Sequence, residues 1–161
     1  MNEQGIGHIY QKIAETVVAI IQEDWTKVFL YGEVLEGSQR VFFFYYSKDG
    51  NEIVYCRDIP ELFNLSLNQY KELLHNILDD LQELQDEFSN NGQEVWTSLT
   101  MAFDNTGEFN IDYNYEDLSE ADDNERDIVW EYKYLGIIPE DEDDKKFLEE
   151  YLKSIEEKTE E

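Results

Sequence analysis

Carboxylates are the groups in this chain most able to do chemistry, and many of them lie in one stretch, FNIDYNYEDLSEADDNERD, residues 109–127. The stretch begins with an apolar residue at every second position and ends in an acidic run, residues 116–127, whose single basic residue is Arg126. The acids of this run are Glu116, Asp117, Glu120, Asp122, Asp123, Glu125 and Asp127. Such groups can transfer protons, coordinate metal ions or attract a basic partner.

A calcium loop is the most specific metal site that these acids suggest. Five residues match ligand positions 1, 3, 5, 9 and 12 of such a loop: Asp112, Asn114, Glu116, Glu120 and Asp123. However, position 6 is Asp117, where the sharp turn requires glycine, and position 12 is aspartate, where a bidentate glutamate is expected. Residues 112–115 also alternate in the way that a strand does. We therefore predict no metal site.

Candidates for nucleophilic catalysis are few. Cys56, the only cysteine, falls within a predicted strand and is most simply a small apolar filler. His75 lies on an amphipathic helix, and His8 has no second histidine nearby with which to bind zinc. The chain lacks a G-x-S-x-G motif and a phosphate-binding glycine loop, and pairs of carboxylates are too numerous here to indicate glycoside hydrolysis. We predict no catalytic residue, no cofactor and no enzymatic activity.

The balance of charge points to a basic partner. The chain has 39 acidic and 12 Lys or Arg residues, a formal net charge of −27. This charge should repel nucleic acid and anionic membranes, and it can accelerate association with a basic partner by about ten- to a thousandfold. Solubility or adaptation to salt would explain the same composition.

Aromatic residues accompany the acidic run in the sequence, namely Tyr113, Tyr115, Trp130, Tyr132 and Tyr134. Tyrosine and tryptophan anchors within a charged rim are typical of protein-binding surfaces. The alternative is that these side chains fill the core, an interpretation that applies first to Tyr113 and Tyr115.

The elements that must position these residues follow from hydrophobic periodicity. Apolar residues recur every three or four positions from Ile9 to Ile21 and from Leu67 to Phe88, which predicts two amphipathic helices. A three-stranded meander lies between these helices, and its strand VFFFYY is apolar on both faces and should be covered on both. Ser66 and Gln69 suggest a capping box, and Asn91-Gly92 a helix end.

The C-terminal half predicts a hairpin and two helices. Residues 94–104 and 107–117 form the hairpin, with residues 95, 97, 99, 101 and 103 on one face of its first strand. In the second strand, Asn110, Asp112 and Asn114 should lie on the wet face. Ser119 is the predicted N-cap of the next helix, and Pro139 the predicted start of the last.

The order α-β-β-β-α-β-β-α-α, with hairpins in place of βαβ units, indicates an α+β fold. We expect a single domain over residues 1–161, with an antiparallel sheet of about five strands, an N-terminal helix, a long central helix and two C-terminal helices. The N-terminus has no signal-peptide pattern and no segment is apolar enough to span a membrane, which predicts a cytoplasmic protein.

The chain resembles the YezG-type immunity proteins, antitoxins encoded beside LXG-type and related secreted nuclease toxins of Gram-positive bacteria. The resemblance extends over nearly the whole chain and includes IYQKIAETVVAIIQEDWTKVFLYGEV, VFFFYYSKDG, EVWTSLTMAFDNTGEFNIDYNYED and YKYLGIIPED. Its most specific part is WTS followed by a strand, a turn and FNIDYNY, with YLGIIP downstream. It supplies no catalytic residue to transfer to this chain.

The resemblance implies an immunity protein that binds and neutralises the C-terminal nuclease domain of a cognate toxin, and we expect an acidic surface to make that contact. The predicted partner-binding residues are Asp112, Asn114, Glu116, Asp117, Asp122, Asp123, Glu125 and Trp130. Acids at a helix start also stabilise its dipole without any partner, by about 0.3–1 kcal/mol each. The alternative functions are an acidic DNA mimic or adaptor acting on a DNA-binding partner and, less expected, a carboxylate- or metal-dependent enzyme.

Overall fold

A computed structural model describes residues 3–160, and its order of helices and strands confirms the α+β prediction. The helices are α1 (Glu3–Ile20), α2 (Ile59–Leu62), α3 (Leu67–Asn90), α4 (Asp123–Leu135) and α5 (Glu142–Glu160). The strands are β1 (Trp25–Leu35), β2 (Ser38–Ser47), β3 (Ile53–Tyr55), β4 (Ser98–Asp104) and β5 (Phe109–Asn114). The chain up to Leu118 forms one compact unit and the chain from Ser119 a second, so a single domain over residues 1–161 stays a prediction.

The five strands form one antiparallel sheet in the order β3-β2-β1-β4-β5. Strand β1 is central: Gly32 pairs with Val41 of β2 on one side and with Leu99 of β4 on the other. Strand β2 contains VFFFYY, and its four consecutive residues from Phe42 to Tyr45 are all buried. The prediction that this strand is covered on both faces is confirmed.

The main core lies between the sheet and helices α1 and α3. Helix α3 packs on β1 and β2, and α1 packs beside α3. Each helix buries its apolar stripe, because that stripe is wide enough to face the sheet and the neighbouring helix together. The stripe residues Ile9, Ile13, Val17 and Ile20 of α1, and Ile77, Leu81 and Leu84 of α3, are at most 2% exposed.

Gly32 is a point of close approach between α3 and the sheet. A Cβ atom at this position would lie 2.9 Å from Cδ1 and 3.0 Å from Cδ2 of Leu81, whose side chain is fully buried. The glycine therefore serves as a site of close packing and not as a turn.

The opposite face of β1 and β2 is aromatic. The rings of Tyr31 and Phe42 stack at 5.2 Å between centroids, and those of Phe44 and Tyr55 at 4.8 Å. Among them, the Glu33 carboxylate is 2% exposed and accepts a hydrogen bond of 2.7 Å from the Tyr31 hydroxyl. Arg40 Nε lies 3.4 Å from the other oxygen of Glu33, so the buried charge has an ionic partner.

The predictions for the two ends of α3 are confirmed. The Ser66 hydroxyl accepts a hydrogen bond of 3.4 Å from the Gln69 amide, as the capping pattern predicts. After Asn91, Gly92 adopts a positive φ of 69°, and the Gln93 amide donates to the Phe88 carbonyl at 2.9 Å. This arrangement satisfies the last carbonyls of α3.

Five boundary predictions were wrong, one of them for β5, which spans Phe109–Asn114 and not residues 107–117. The N-cap of α4 is Asp122, whose carboxylate accepts from the Glu125 amide, and not Ser119. Helix α5 begins at Glu142, where Asp141 accepts from the Asp144 amide, so Pro139 precedes the helix by a short connection. Strand β4 begins only at Ser98, which leaves Val95 42% exposed. Cys56 is buried as expected, but it begins a 3-10 turn (Cys56–Asp58) that cuts β3 short.

Replacing Gly32 with alanine should destabilise the protein by about 1–3 kcal/mol, because the added methyl overpacks against Leu81. Gly7→Ala is the matched control. Gly7 lies in α1 with open space around it, so alanine there should stabilise the helix by about 0.5–1 kcal/mol. Chemical denaturation of both variants measures the two effects, and equal shifts would contradict the close-packing role of Gly32.

Candidate protein-binding surface

Strand β5 presents the first candidate residues at the end of the sheet. Asn110, Asp112 and Asn114 are exposed, whereas the intervening Ile111 and Tyr113 are half-buried. This pattern confirms the predicted wet face. The apolar face is covered less fully than expected, since Phe109 at the start of the strand is 42% exposed.

The apolar side of β5 is fixed by an aromatic cluster contributed by both long helices. The hydroxyl of Tyr113 is hydrogen-bonded to that of Tyr10 on α1. Its ring lies 5.0 Å from Phe88 on α3 and 5.8 Å from Trp96. Burial raises the pKa of the Tyr113 phenol, and the hydrogen bond with Tyr10 raises it further. The phenol therefore stays protonated. Tyr113 is therefore half-buried and packs against residues of the core, as expected.

The interpretation that Tyr115 also fills the core is wrong. Because β5 ends at Asn114, Tyr115 lies beyond the strand and is 43% exposed. An aromatic side chain on the surface beside several carboxylates is suited to contact another protein.

The chain beyond β5 is held by Thr97. Its hydroxyl lies 3.1 Å from the Asn114 carbonyl and 2.7 Å from the Glu116 carbonyl. The Asn114 side chain also accepts a hydrogen bond of 2.8 Å from the Glu116 amide. These contacts fix the backbone while the Glu116 and Asp117 side chains remain exposed.

The remaining four candidates belong to the second unit. Asp122 is the N-cap of α4, with its carboxylate 3.0 Å from the Glu125 amide, so this acid has a structural role. The Asp123 carboxylate lies 3.6 Å from the Arg126 guanidinium, one turn further along α4. Glu125 is half-buried. Trp130 is 7% exposed and its ring lies 5.3 Å from that of Tyr134. Its place in a partner-binding set stays a prediction.

The other chemical candidates occupy ordinary structural positions. Phe43 N donates to Cys56 Sγ at 3.5 Å, and burial raises the pKa of the Cys56 thiol, which makes it a poor nucleophile. His75 is exposed, 3.7 Å from Asp79 on the same helix. Within residues 3–160, no group of three or more potential ligands is arranged to hold a metal ion. Asp112 and Asn114 lie in a strand and not in a loop.

A groove of about 720 Å³ that the sequence did not reveal lies where α1 ends and two sheet turns meet. Its lining includes the apolar side chains of Val18, Ile21 and Trp25 and the carboxylates of Glu23, Asp24 and Asp104. Glu23 accepts a hydrogen bond of 2.6 Å from the Tyr45 hydroxyl, and hydrogen bonding from Thr106 lowers the pKa of Asp104. Asp104 is distant in sequence from Glu23 and Asp24, so only the folded chain brings it close to them.

Comparison with known proteins gives consistent matches along the chain. A family model described as "Immunity protein YezG-like" matches residues 6–149. The chain is 47% identical to the immunity protein YezG of Bacillus subtilis over 146 residues, which span 89% of this chain and 97% of that relative. It is 41% identical to the immunity protein YezG of Bacillus spizizenii over 158 residues, spanning 97% and 98%. It is 31% identical to the type VII secretion system protein EsaG of Staphylococcus aureus over 160 residues, spanning 96% and 98%.

No helix within the described residues is long and apolar enough to cross a membrane.

A pH-dependent effect is expected at Glu131, a half-buried residue of α4. Burial, together with the nearby Asp127, raises the pKa of Glu131 above its ordinary value. The folded state therefore favours the protonated form, and this stabilisation is lost as pH rises through the raised pKa. Glu131→Gln should increase the melting temperature more at pH 7.5 than at pH 4. The exposed Glu149→Gln is the control, and an equal gain at both pH values would contradict the raised pKa.

Proposed function

Because this chain belongs to the YezG-like family of immunity proteins, we propose that it neutralises a cognate secreted toxin by binding the toxin's C-terminal nuclease domain through an acidic surface. As an immunity protein it is not an enzyme. The observation that supports a nuclease target is the net charge of −27. The name of the staphylococcal relative, which connects that protein with type VII secretion, agrees with a secreted toxin.

The physical basis is a shared electrostatic pattern. A nuclease must bind a polyanion and therefore presents lysine and arginine residues along its substrate cleft. A folded protein with 39 acids can engage the same cleft and exclude DNA from it. Binding takes place in the cytoplasm of the producing cell, before the toxin leaves it.

The proposed surface centres on the wet face of β5 and the segment after it. Asp112, Glu116 and Asp117 are exposed there, and residues 104–125 contain no lysine or arginine. Thr97 holds the backbone at this point, so the carboxylates extend from a fixed support. Asp122, Asp123 and Glu125 belong to the second unit, where we propose that they contact the same partner. Trp130, being buried, would contribute by packing within its own unit.

The rival function, an acidic mimic of DNA acting on a DNA-binding partner, depends on the same charge. Pull-down of the tagged protein from its native cytoplasm, followed by mass spectrometry, separates the two. Recovery of a toxin with a nuclease domain is expected. Recovery of a DNA-binding regulator in its place would favour the rival function.

The rate of association with the nuclease domain should depend strongly on salt. Raising ionic strength from 0.1 M to 1 M shortens the Debye length from about 10 Å to about 3 Å, which screens electrostatic steering. Stopped-flow measurement should show an association rate that falls by at least about tenfold over this range. A rate that does not change with salt would contradict the electrostatic proposal, although binding itself could persist.

Amide substitutions can locate the surface. Six acids, Asp112, Glu116, Asp117, Asp122, Asp123 and Glu125, are changed together to the corresponding amides. Asparagine at position 122 still caps α4, so the fold should be retained. We expect the affinity for the nuclease domain to fall by about a hundredfold or more, because even rim charges alter association and close charge pairs contribute still more.

The control set is six exposed acids of α5, Glu142, Asp143, Glu149, Glu150, Glu156 and Glu157, which removes the same net charge. If both sets weaken binding equally, total charge matters and the surface is not specific. If the first set lowers only the melting temperature, its acids act mainly by stabilising α4.

A further inference from the structure

The outer edge of β5 is an open strand edge. In the sheet order, β5 is the last strand after β4, and within residues 3–160 no further strand pairs with it. An edge strand has a row of backbone N–H and C=O groups that another chain can use. All six residues of β5 are exposed or half-buried, so the edge is accessible to a partner.

The hydrogen bonds of β4 show which backbone groups of β5 face outward. The Val34 amide donates to the Thr97 carbonyl just before β4, and the Asn105 amide donates to the Thr26 carbonyl just after it, both at 3.0 Å. The odd-numbered residues of β4 between these two bonds are therefore directed towards β1, although the Thr97 amide itself donates to the Asn114 carbonyl. The Asp104 amide donates to the Glu108 carbonyl at 3.0 Å, so the even-numbered residues bond to β5. In β5 the inward-bonding residues are therefore 110, 112 and 114. The amides and carbonyls of Phe109, Ile111 and Tyr113 are directed away from the sheet.

The side chains along this edge define the chemistry of an added strand. Towards the helices they are apolar, with Phe109 exposed and Ile111 half-buried. On the other face they are Asn110, Asp112 and Asn114. A strand paired with β5 continues both faces, so its own residues should alternate between apolar and basic.

A second copy of this chain is a poor occupant. Antiparallel pairing of two β5 edges would bring two chains of charge −27 together, with Asp112 of each near the acids of the other. Like charges across a strand pair are destabilising. The same carboxylates attract a basic strand, so they select the partner and oppose self-association.

We propose that β5 binds its partner by strand addition: an extended segment of the nuclease domain, with alternating apolar and basic side chains, pairs with the outer edge of β5. This inference rests on the proposed function and specifies how the toxin is held. The backbone of Phe109, Ile111 and Tyr113 supplies the hydrogen bonds, and Asp112 supplies the counter-charge.

Proline substitution tests the backbone contact directly. Ile111→Pro removes one outward-facing N–H and leaves the hydrogen bonds to β4 in place, which an edge strand tolerates. Ile111→Ala is the control for the lost side chain. Phe109→Pro and Phe109→Ala form a second pair at the strand start, in case proline at 111 prevents folding. Circular dichroism and thermal melting verify the fold of each variant.

The probe is the purified nuclease domain of the toxin recovered in the pull-down described above, and its affinity is measured by calorimetry. We expect each proline variant to bind at least about tenfold more weakly than its alanine control. Amide hydrogen exchange on the wild-type complex should show new protection at 109, 111 and 113. Residues 110 and 112 should be protected with and without the toxin domain.

Three results would overturn strand addition. If the proline and alanine variants bind equally and residues 109, 111 and 113 gain no protection, the toxin binds elsewhere and the proposed function still stands. If the wild-type protein is a dimer that Ile111→Pro converts to a monomer, the edge belongs to a second copy. If the wild-type protein does not bind the toxin domain at all, the proposed function fails together with this inference.

Discussion

The pairing of β1 with β4 is the contact on which the rest of the first unit depends. It joins a meander formed by the N-terminal part of the chain to a hairpin that follows α3, and so makes one sheet from two local structures. Gly32 lies at the centre of this arrangement, paired with Leu99 and covered by Leu81 of α3. Because β1 is occupied on both edges, β5 can only be the end of the sheet. The position of the candidate surface therefore follows from a pairing between distant segments.

Local patterns predicted the elements well, and long-range contacts explain what they missed. Ser66 and Gly92 bound α3 as expected because caps depend on a few neighbouring residues. At α4, Ser119 and Asp122 are both good caps, and periodicity alone did not choose between them. Tyr113 and Tyr115 have the same alternation in sequence, yet Tyr113 packs against Phe88 and Trp96 and is half-buried, whereas Tyr115 is 43% exposed. Neither the open edge of β5 nor the groove near Trp25 has a local signature, because both depend on the order of strands.

Charge and packing are separated along β5 itself. On one side, Phe109 contacts Tyr10 of α1 and Tyr113 contacts Phe88 of α3, which fixes the strand to both helices. The polar residues on the other side remain exposed to water. Unsatisfied edges normally risk aggregation, and acidic side chains are one of the ways in which proteins prevent it. In a chain of net charge −27 this protection operates against every copy of itself. The acidic side chains do not repel a basic partner. They therefore keep the protein soluble and also select the partner that can bind.

The rigidity of this edge bears on how tightly such a partner can be held. Binding costs free energy whenever loops and side chains become ordered, and a site that is ordered beforehand avoids part of that cost. Here the Tyr10–Tyr113 hydrogen bond fixes the C-terminal part of β5, and the Thr97 hydroxyl fixes the chain where the strand ends. Neither contact uses a carboxylate. Residues other than the acids thus fix the backbone to which the acids are attached. This explains how a surface of mutually repelling charges can keep a defined shape.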